Sequence, residues 1–295
     1  MGKLPEWLRA SQPSQEAVTA VQRIKEVVKK YKLNTLHSEA LYPLTSEHYT
    51  IGVPTFLILG NTCTRSCKYC YVSCGRPAQP ELDEPKRLAE AVAELGIKHV
   101  VITSVERDDL YDCGASHFAD CISAVKAKNN GTIVEAVIPD FQNKLYSIKK
   151  LLSSQPDIVT HNIETTRKLH REVKDARASY DQSLGILKKI KELAPNVKTK
   201  SSIFLGFGEK DAEIIATMND LRGAGVDILV IGQYIQPSAL HVKTKKFVEP
   251  SAFEMLKQNG MEIGFSNVES GPFERNPYHS TTFMKPVAMI TAAAK

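Results

Sequence analysis

The chain has 295 residues, 42% of them hydrophobic, with 38 Lys and Arg against 33 Asp and Glu and a formal net charge of +5. That content supports one large α/β domain or two small ones. Charge so evenly spread reads as a solvated surface that would help an acidic partner dock; no nucleic-acid partner is expected.

No apolar run approaches the ~20 residues needed to cross a bilayer, so no membrane partner is expected either. The opening Met1-Gly-Lys-Leu-Pro-Glu-Trp7 is too polar for a signal peptide and too acidic and short for a transit peptide. The six cysteines stand at 63, 67, 70, 74, 113 and 121. This clustering reads as metal chemistry in the reducing cytoplasm rather than as a disulfide framework.

Residues 1–50 read as an N-terminal extension, with one amphipathic helix near Gln15–Tyr31 followed by an irregular stretch. Strands are predicted at Thr55–Gly60, Lys98–Thr103, Thr132–Ile138, Asp157–His161, Lys200–Leu205 and Asp227–Ile231, all apolar and rich in β-branched residues. Helical patterns such as Glu84–Leu95 and Glu209–Ala224 lie between them, followed by the turn glycines Gly96 and Gly225. Six strands separated by helices argue for βα units and a parallel sheet, in a partial barrel or a doubly wound fold. The repeating part is expected to span 51–265, and 266–295 reads as a tail laid over one end of it.

The chemistry concentrates in Cys63-Thr-Arg-Ser-Cys67-Lys-Tyr-Cys70, directly after the first strand. Three thiolates at this CxxxCxxC spacing can hold three irons of a [4Fe–4S] cluster and leave the fourth open. An open position is what a catalytic metal site needs, here for the amino and carboxylate groups of S-adenosylmethionine. A ferredoxin-like carrier would supply a fourth cysteine, and zinc sites commonly pair two CxxC units; zinc or a redox dithiol is the competing reading. The spacing, with Tyr69 before the last thiol, resembles the signature of radical S-adenosylmethionine (SAM) enzymes.

In a barrel, chemistry belongs at the C-terminal ends of the strands. Thr103 and Ser104 end the second strand and Asp140 the third; His161-Asn-Ile-Glu164 ends the fourth, Gly206 and Gly208 the fifth, and Gln233-Tyr234 the sixth. Asn162 and Glu164, two apart, point the same way in extended chain. Each such group can instead satisfy loop backbone. Gly206 and Gly208 would let backbone approach an adenosine closely. Cys121 reads as core, and His99 and His117 as structural or exposed.

Thr62-Cys-Thr-Arg-Ser-Cys67, Ile102-Thr-Ser-Val-Glu-Arg-Asp-Asp-Leu110, Val137-Ile-Pro-Asp-Phe141, His161-Asn-Ile-Glu-Thr165, Tyr180-Asp-Gln-Ser-Leu184, Leu205-Gly-Phe-Gly-Glu209, Gly232-Gln-Tyr234 and Ser270-Gly-Pro272 resemble lipoyl synthase, from about Leu4 to about Ser280. The resemblance implies a partial (βα)6 TIM-type barrel of the radical SAM type, with N- and C-terminal extensions. It implies a cluster on Cys63, Cys67 and Cys70, and SAM held near Thr103, Ser104, Asn162, Glu164 and Arg177. Arg177 comes from the looser match of Asp175-Ala-Arg-Ala-Ser-Tyr180. The implied substrate is an octanoylated lysine on a small acidic lipoyl-carrier domain, attacked at two unactivated C–H bonds. The implied electron donor is a low-potential protein such as ferredoxin or flavodoxin.

Lipoyl synthases also carry a second cluster, dismantled to supply sulfur, on three cysteines spaced CxxxxCxxxxxC before the barrel and a serine of a C-terminal Arg-Ser-Ser-Tyr motif. The aligned positions here are His37, Tyr42 and His48, and the C-terminal motif reads Arg275-Asn-Pro277-Tyr278. The spacing is kept and all four ligands of the family are replaced. Three explanations compete. The chain is a paralogue that generates the radical and inserts no sulfur, acting on a different substrate. Or it takes sulfur from an external sulfur or cluster donor, or from a cluster rebuilt on Cys74 and Cys113. Or His37, Tyr42 and His48 bind another metal. A non-catalytic carrier- or cofactor-binding subunit is the reading from a different class.

Overall fold

The computed structural model describes residues 4–9, 15–36 and 54–274. Ten strands are present among them: β1 (Asn34–Thr35), β2 (Thr55–Ile58), β3 (Thr62–Cys63), β4 (Ser73–Cys74), β5 (His99–Ser104), β6 (Ile133–Val137), β7 (Ile158–Thr160), β8 (Lys198–Leu205), β9 (Ile228–Gln233) and β10 (Asn267–Ser270). Eight form one sheet in the order β1-β2-β5-β6-β7-β8-β9-β10. Every pairing is parallel except that of β1 with β2. Among the described residues β1 and β10 do not pair, so the barrel is partial and open. The strand order follows the chain with no reversal, as in a barrel and unlike a doubly wound sheet.

All six predicted strands are found, and the sheet goes further at both edges. β1 lies in the N-terminal extension, and β10 lies within the stretch expected to be tail. Residues 37–50 and 275–295, which include His37, Tyr42, His48, Arg275, Pro277 and Tyr278, lie outside the described residues.

The helices Gln15–Lys30, Glu84–Leu95 and Asp211–Gly223 agree with the periodicities that predict them. Gly96 closes the second in the left-handed region at φ +67°, which its missing side chain allows. Side chains alternate between two faces along β8, both of them buried from Thr199 to Leu205. Ile203 and Leu205 join the apolar layer beneath the helices, while Lys200, Ser202 and Phe204 take the other face.

That inner face is polar. The Lys200 ammonium lies 3.1 Å from Glu135 Oε1, His99 Nε2 3.3 Å from Glu135 Oε2, and Thr160 Oγ1 donates to Glu135 at 2.8 Å. Burial would raise the Glu135 carboxyl, but Lys200 and His99 hold it well below the usual carboxylate range. His99 is therefore structural. So is His117, whose Nε2 lies 2.6 Å from Glu84 Oε2; that carboxylate also accepts from the N–H of Leu59, fixing the exit of β2. Cys121 is fully buried in the core.

Candidate active site

Between β2 and the helix Glu84–Leu95 the chain makes a long excursion carrying the three spaced thiols. Its first part is pinned by the short parallel ribbon of β3 and β4. Thr64 N–H and Oγ1 both donate to Glu106 O, at 3.0 and 2.9 Å, and Lys68 N–H donates to Val173 O at 2.9 Å. His241 stacks on Tyr71, and its Nε2 lies 3.1 Å from Cys70 O. The excursion is thus tied to the loops after β5, β7 and β9.

Main-chain donors point at the sulfurs. Arg65 and Glu106 each direct an N–H at Cys63 Sγ (both 3.4 Å), and Asp175 directs one at Cys67 Sγ (3.3 Å). Such bonds favour the thiolate, the form that binds iron, and they tune cluster potentials. Against them, burial pushes the free thiols up, Cys67 to about 11 and Cys70 to about 12. These thiols need a cationic partner to ionise, and iron supplies it. Among the described residues no three His, Cys, Asp or Glu side chains gather tightly enough to ligate one metal ion. A four-iron cluster spreads its thiolates over separate irons, so three thiols can serve three of its irons.

Arg65, inside the motif, is 3% exposed and carries a carboxylate network that residue spacing does not reveal. It forms paired bonds to Asp108 (2.8 and 2.8 Å) and Asp140 (2.6 and 2.8 Å), and one to Glu106 (3.2 Å). One buried guanidinium thereby fastens the thiol loop to the ends of β5 and β6. On the other side Asp175 accepts from Ser66 N–H (2.8 Å) and from the Arg177 guanidinium (2.9 and 3.0 Å).

Of the predicted cofactor residues, the strand ends bring four to the mouth. Thr103 Oγ1 donates to Val137 O at 3.2 Å, and Ser104 Oγ is buried with no hydrogen-bond partner. Glu164, at φ +70°, is a non-glycine residue held in the left-handed region, a conformation that clusters at functional sites. Its Oε1 accepts from the Tyr69 hydroxyl at 3.0 Å, joining the thiol loop to β7, and Asn162 and Ser202 lie beside its carboxylate. Burial raises the Glu164 carboxyl.

The fifth, Arg177, lies against the thiol loop. It is 53% exposed and committed to Asp175, to Asp108 and to the carbonyl of Thr64 (2.6 Å). Orphaned buried atoms at Ser104 Oγ, Glu106 Oε2 and His161 Nε2 mark the mouth as built for a polar ligand such as SAM. Leu169, Val173, Phe204, Phe207 and Tyr234, packed with Tyr69, supply an apolar wall beside it.

Other strand-end groups are structural. Gln233 is fully buried, donates to Leu205 O, Tyr234 O and Lys246 O, and accepts from Val248 N–H. Gly206 serves that packing rather than a cofactor, since a Cβ there would meet the Gln233 amide and come within 2.8 Å of Lys246 O. Cys74 is exposed on the ribbon, whereas Cys113 is enclosed, its sulfur 3.6 Å from Lys144 Nζ. A cluster shared by the two has to open the core. Cys74→Ser and Cys113→Ser are each expected to retain about four irons after reconstitution, checked by iron and sulfide analysis.

His161 Nδ1 lies 3.0 Å from Ile138 O, which can only accept, so Nδ1 carries the proton. Burial and the nearby Lys174 lower the ring to about 4. Its unfolded value is about 6.5, so the unfolded chain takes up the proton first and stability falls as pH drops from about 6.5 to about 4. His170, lowered in the same way, adds to this window. His161→Gln is expected to flatten part of the slope, by on the order of 2 kcal/mol between pH 7.5 and 5 in urea midpoints.

Residues 57–221 match the Radical SAM superfamily. The fold agrees with solved structures of low sequence identity. These are methylornithine synthase (PylB; TM-score 0.55, 14% identity, 86% of this chain and 84% of that one) and HydG from Carboxydothermus hydrogenoformans (0.58, 15%, 88% and 71%). Streptococcus suis SuiB bound to S-adenosylmethionine is a third (0.56, 14%, 87% and 56%). The open parallel barrel with a three-thiol loop after its first parallel strand is that of a radical SAM enzyme, which works with a [4Fe–4S] cluster and SAM.

Within that class the sequence is 42% identical over 277 residues to lipoyl synthase of Serratia proteamaculans, covering 94% of this chain and 85% of the relative. Lipoyl synthase of Yersinia pestis matches to the same extent. The chain belongs to the lipoyl synthase family. Its chemistry is SAM-dependent radical chemistry of the lipoyl synthase kind. No helix among the described residues is long and apolar enough to cross a membrane.

Proposed function

We propose that the protein abstracts hydrogen from an octanoyl-type acyl chain on the lysine of a lipoyl-carrier domain, and that it holds no sulfur-donor cluster of its own. The observation that carries this reading is a contrast within one chain. The thiol loop is complete, with N–H groups on its sulfurs and Tyr69 tied to Glu164. The positions aligned with the donor cluster read His37, Tyr42, His48 and Pro277.

Cys63, Cys67 and Cys70 hold the cluster, and Thr103, Ser104, Asn162 and Glu164 line the cofactor's place. When bound, cluster and SAM supply one-electron cleavage of a carbon–sulfur bond and hence hydrogen abstraction from an unactivated C–H bond. The chain's own task is to position and to exclude water, for which the apolar wall around Phe204 is suited. Reduction comes from a low-potential protein such as ferredoxin or flavodoxin, in the cytoplasm. Sulfur, where it is inserted, comes from an external sulfur or cluster donor.

A second reading is supported by the same four replacements: a paralogue acting on another substrate without sulfur insertion. A non-catalytic binding subunit has no use for oxygen-sensitive thiols supplied with N–H donors. The test is anaerobic incubation with SAM, reductant and a carrier domain bearing perdeuterated octanoyl-lysine. Deuterium recovered in 5′-deoxyadenosine, with no sulfur in the product until a donor is added, is the expected result. Cleavage of SAM with no deuterium transfer overturns the octanoyl substrate.

A further inference from the structure

The ribbon beside the thiol loop sets a fourth cysteine against one of the three. β3 and β4 pair in parallel with Cys63 and Cys74 as register partners, and Gly75 N–H donates to Cys63 O at 2.9 Å. Paired strands lie about 4.8 Å apart, and register partners present their side chains on the same face of the ladder. That spacing falls within the Cα separations of about 4.4–6.8 Å that a disulfide spans. Cys63 is half-buried and Cys74 exposed, so a small oxidant reaches Cys74 first.

Cys74 has no part in the function described above. Three thiols that lose their iron are an odd number. Cys67 and Cys70 stand at CxxC spacing across a turn in which Cys70 N–H donates to Cys67 O (3.1 Å), and these two can close on each other. Cys63 is then left alone. A thiol with no resolving partner goes on to sulfinic and sulfonic acids, which thiol reductants do not reverse. Cys113 and Cys121 are enclosed in the core and out of its reach. Cys74 makes the number even.

We propose that Cys74 is a resolving cysteine for Cys63: when peroxide strips the iron, the two close as a disulfide that a thiol reductant reopens. The Cys74 thiolate attacks hydrogen peroxide, the O–O bond breaks, and a sulfenic acid and hydroxide result. The Cys63 thiolate then attacks the sulfenic sulfur and displaces a second hydroxide. With the two thiol protons the hydroxides become water, so two thiols and one peroxide give one disulfide and two waters. The sulfur of Cys63 is thereby kept in a form from which the site can be rebuilt. This rests on Cys63 being a cluster ligand and adds reversible oxidation to the same loop.

The test exposes reconstituted holoenzyme to hydrogen peroxide, alkylates the free thiols and maps the cysteines by peptide mass spectrometry. A second portion is reduced with dithiothreitol, reconstituted again and assayed for iron. The wild type is expected to show Cys63 joined to Cys74 and to regain about four irons per chain. Cys74→Ser is expected to hold about four irons before exposure. Afterwards it is expected to carry Cys63 as sulfinic or sulfonic acid and to regain less than about half of its iron.

If Cys63 of the wild type is over-oxidised, or joined to Cys67 or Cys70 while Cys74 is alkylated, the proposal is overturned. Full recovery of iron in Cys74→Ser overturns it as well. Iron content before exposure reports on the cluster separately: a wild type that takes up none fails that reading, while the peptide map still decides the pairing.

Discussion

Arg65→Met is expected to destabilise the protein by about 3–5 kcal/mol and to prevent stable cluster incorporation, read as a lower urea midpoint and as iron loss on desalting. The cause lies in what the substitution leaves behind. Asp140 and Asp108 are held below their usual range by the guanidinium, against burial that raises them, while burial beside Asp140 pushes Glu106 up. Without Arg65, carboxyls crowded at the ends of β5 and β6 face one another with no counter-charge. The thiol loop loses its tie to both strands. Arg65→Lys is expected to recover only part of the loss, because an ammonium cannot make the paired bonds to Asp108 and Asp140.

Alanine at any one of Cys63, Cys67 or Cys70 is expected to lower bound iron from about four per chain to below one and to bring SAM cleavage to background. Each thiol serves a different iron; Cys113 and Cys121 are fully buried, and Cys74, in register with Cys63 on the ribbon, is exposed and lies outside the CxxxCxxC spacing. The fold is expected to survive, because the loop is held mainly by Arg65, Asp175 and Glu106 rather than by sulfur. Unchanged far-ultraviolet circular dichroism together with lost visible absorption checks both halves of this expectation.

The strands of the barrel were legible because, buried on both faces, they read as apolar β-branched runs, as Val100–Thr103 does within β5. β10 was not, since in Asn267-Val-Glu-Ser270 only Val268 is apolar and the strand is held by its register with β9. β8 begins two residues before its prediction because Lys198-Thr199 reads as solvated. Lys200 in fact points inward to Glu135, a partner 65 residues away. The same limit hid the supports of the site. Thiol spacing is local and survives in sequence, whereas Arg65, Asp175 and Lys174 resemble ordinary surface charges until the strand ends converge around them. Arg177, chosen by motif, is half exposed and bonded to Asp175 and to Thr64 O of the thiol loop.

A single SAM-cleaving cluster is expected in this chain, where the resemblance to lipoyl synthase implies two. Iron and sulfide analysis with Mössbauer spectra on anaerobically reconstituted protein tests it most directly. About four irons per chain, in one cluster whose spectrum changes on adding SAM, is the predicted result. About eight irons in two clusters would contradict it.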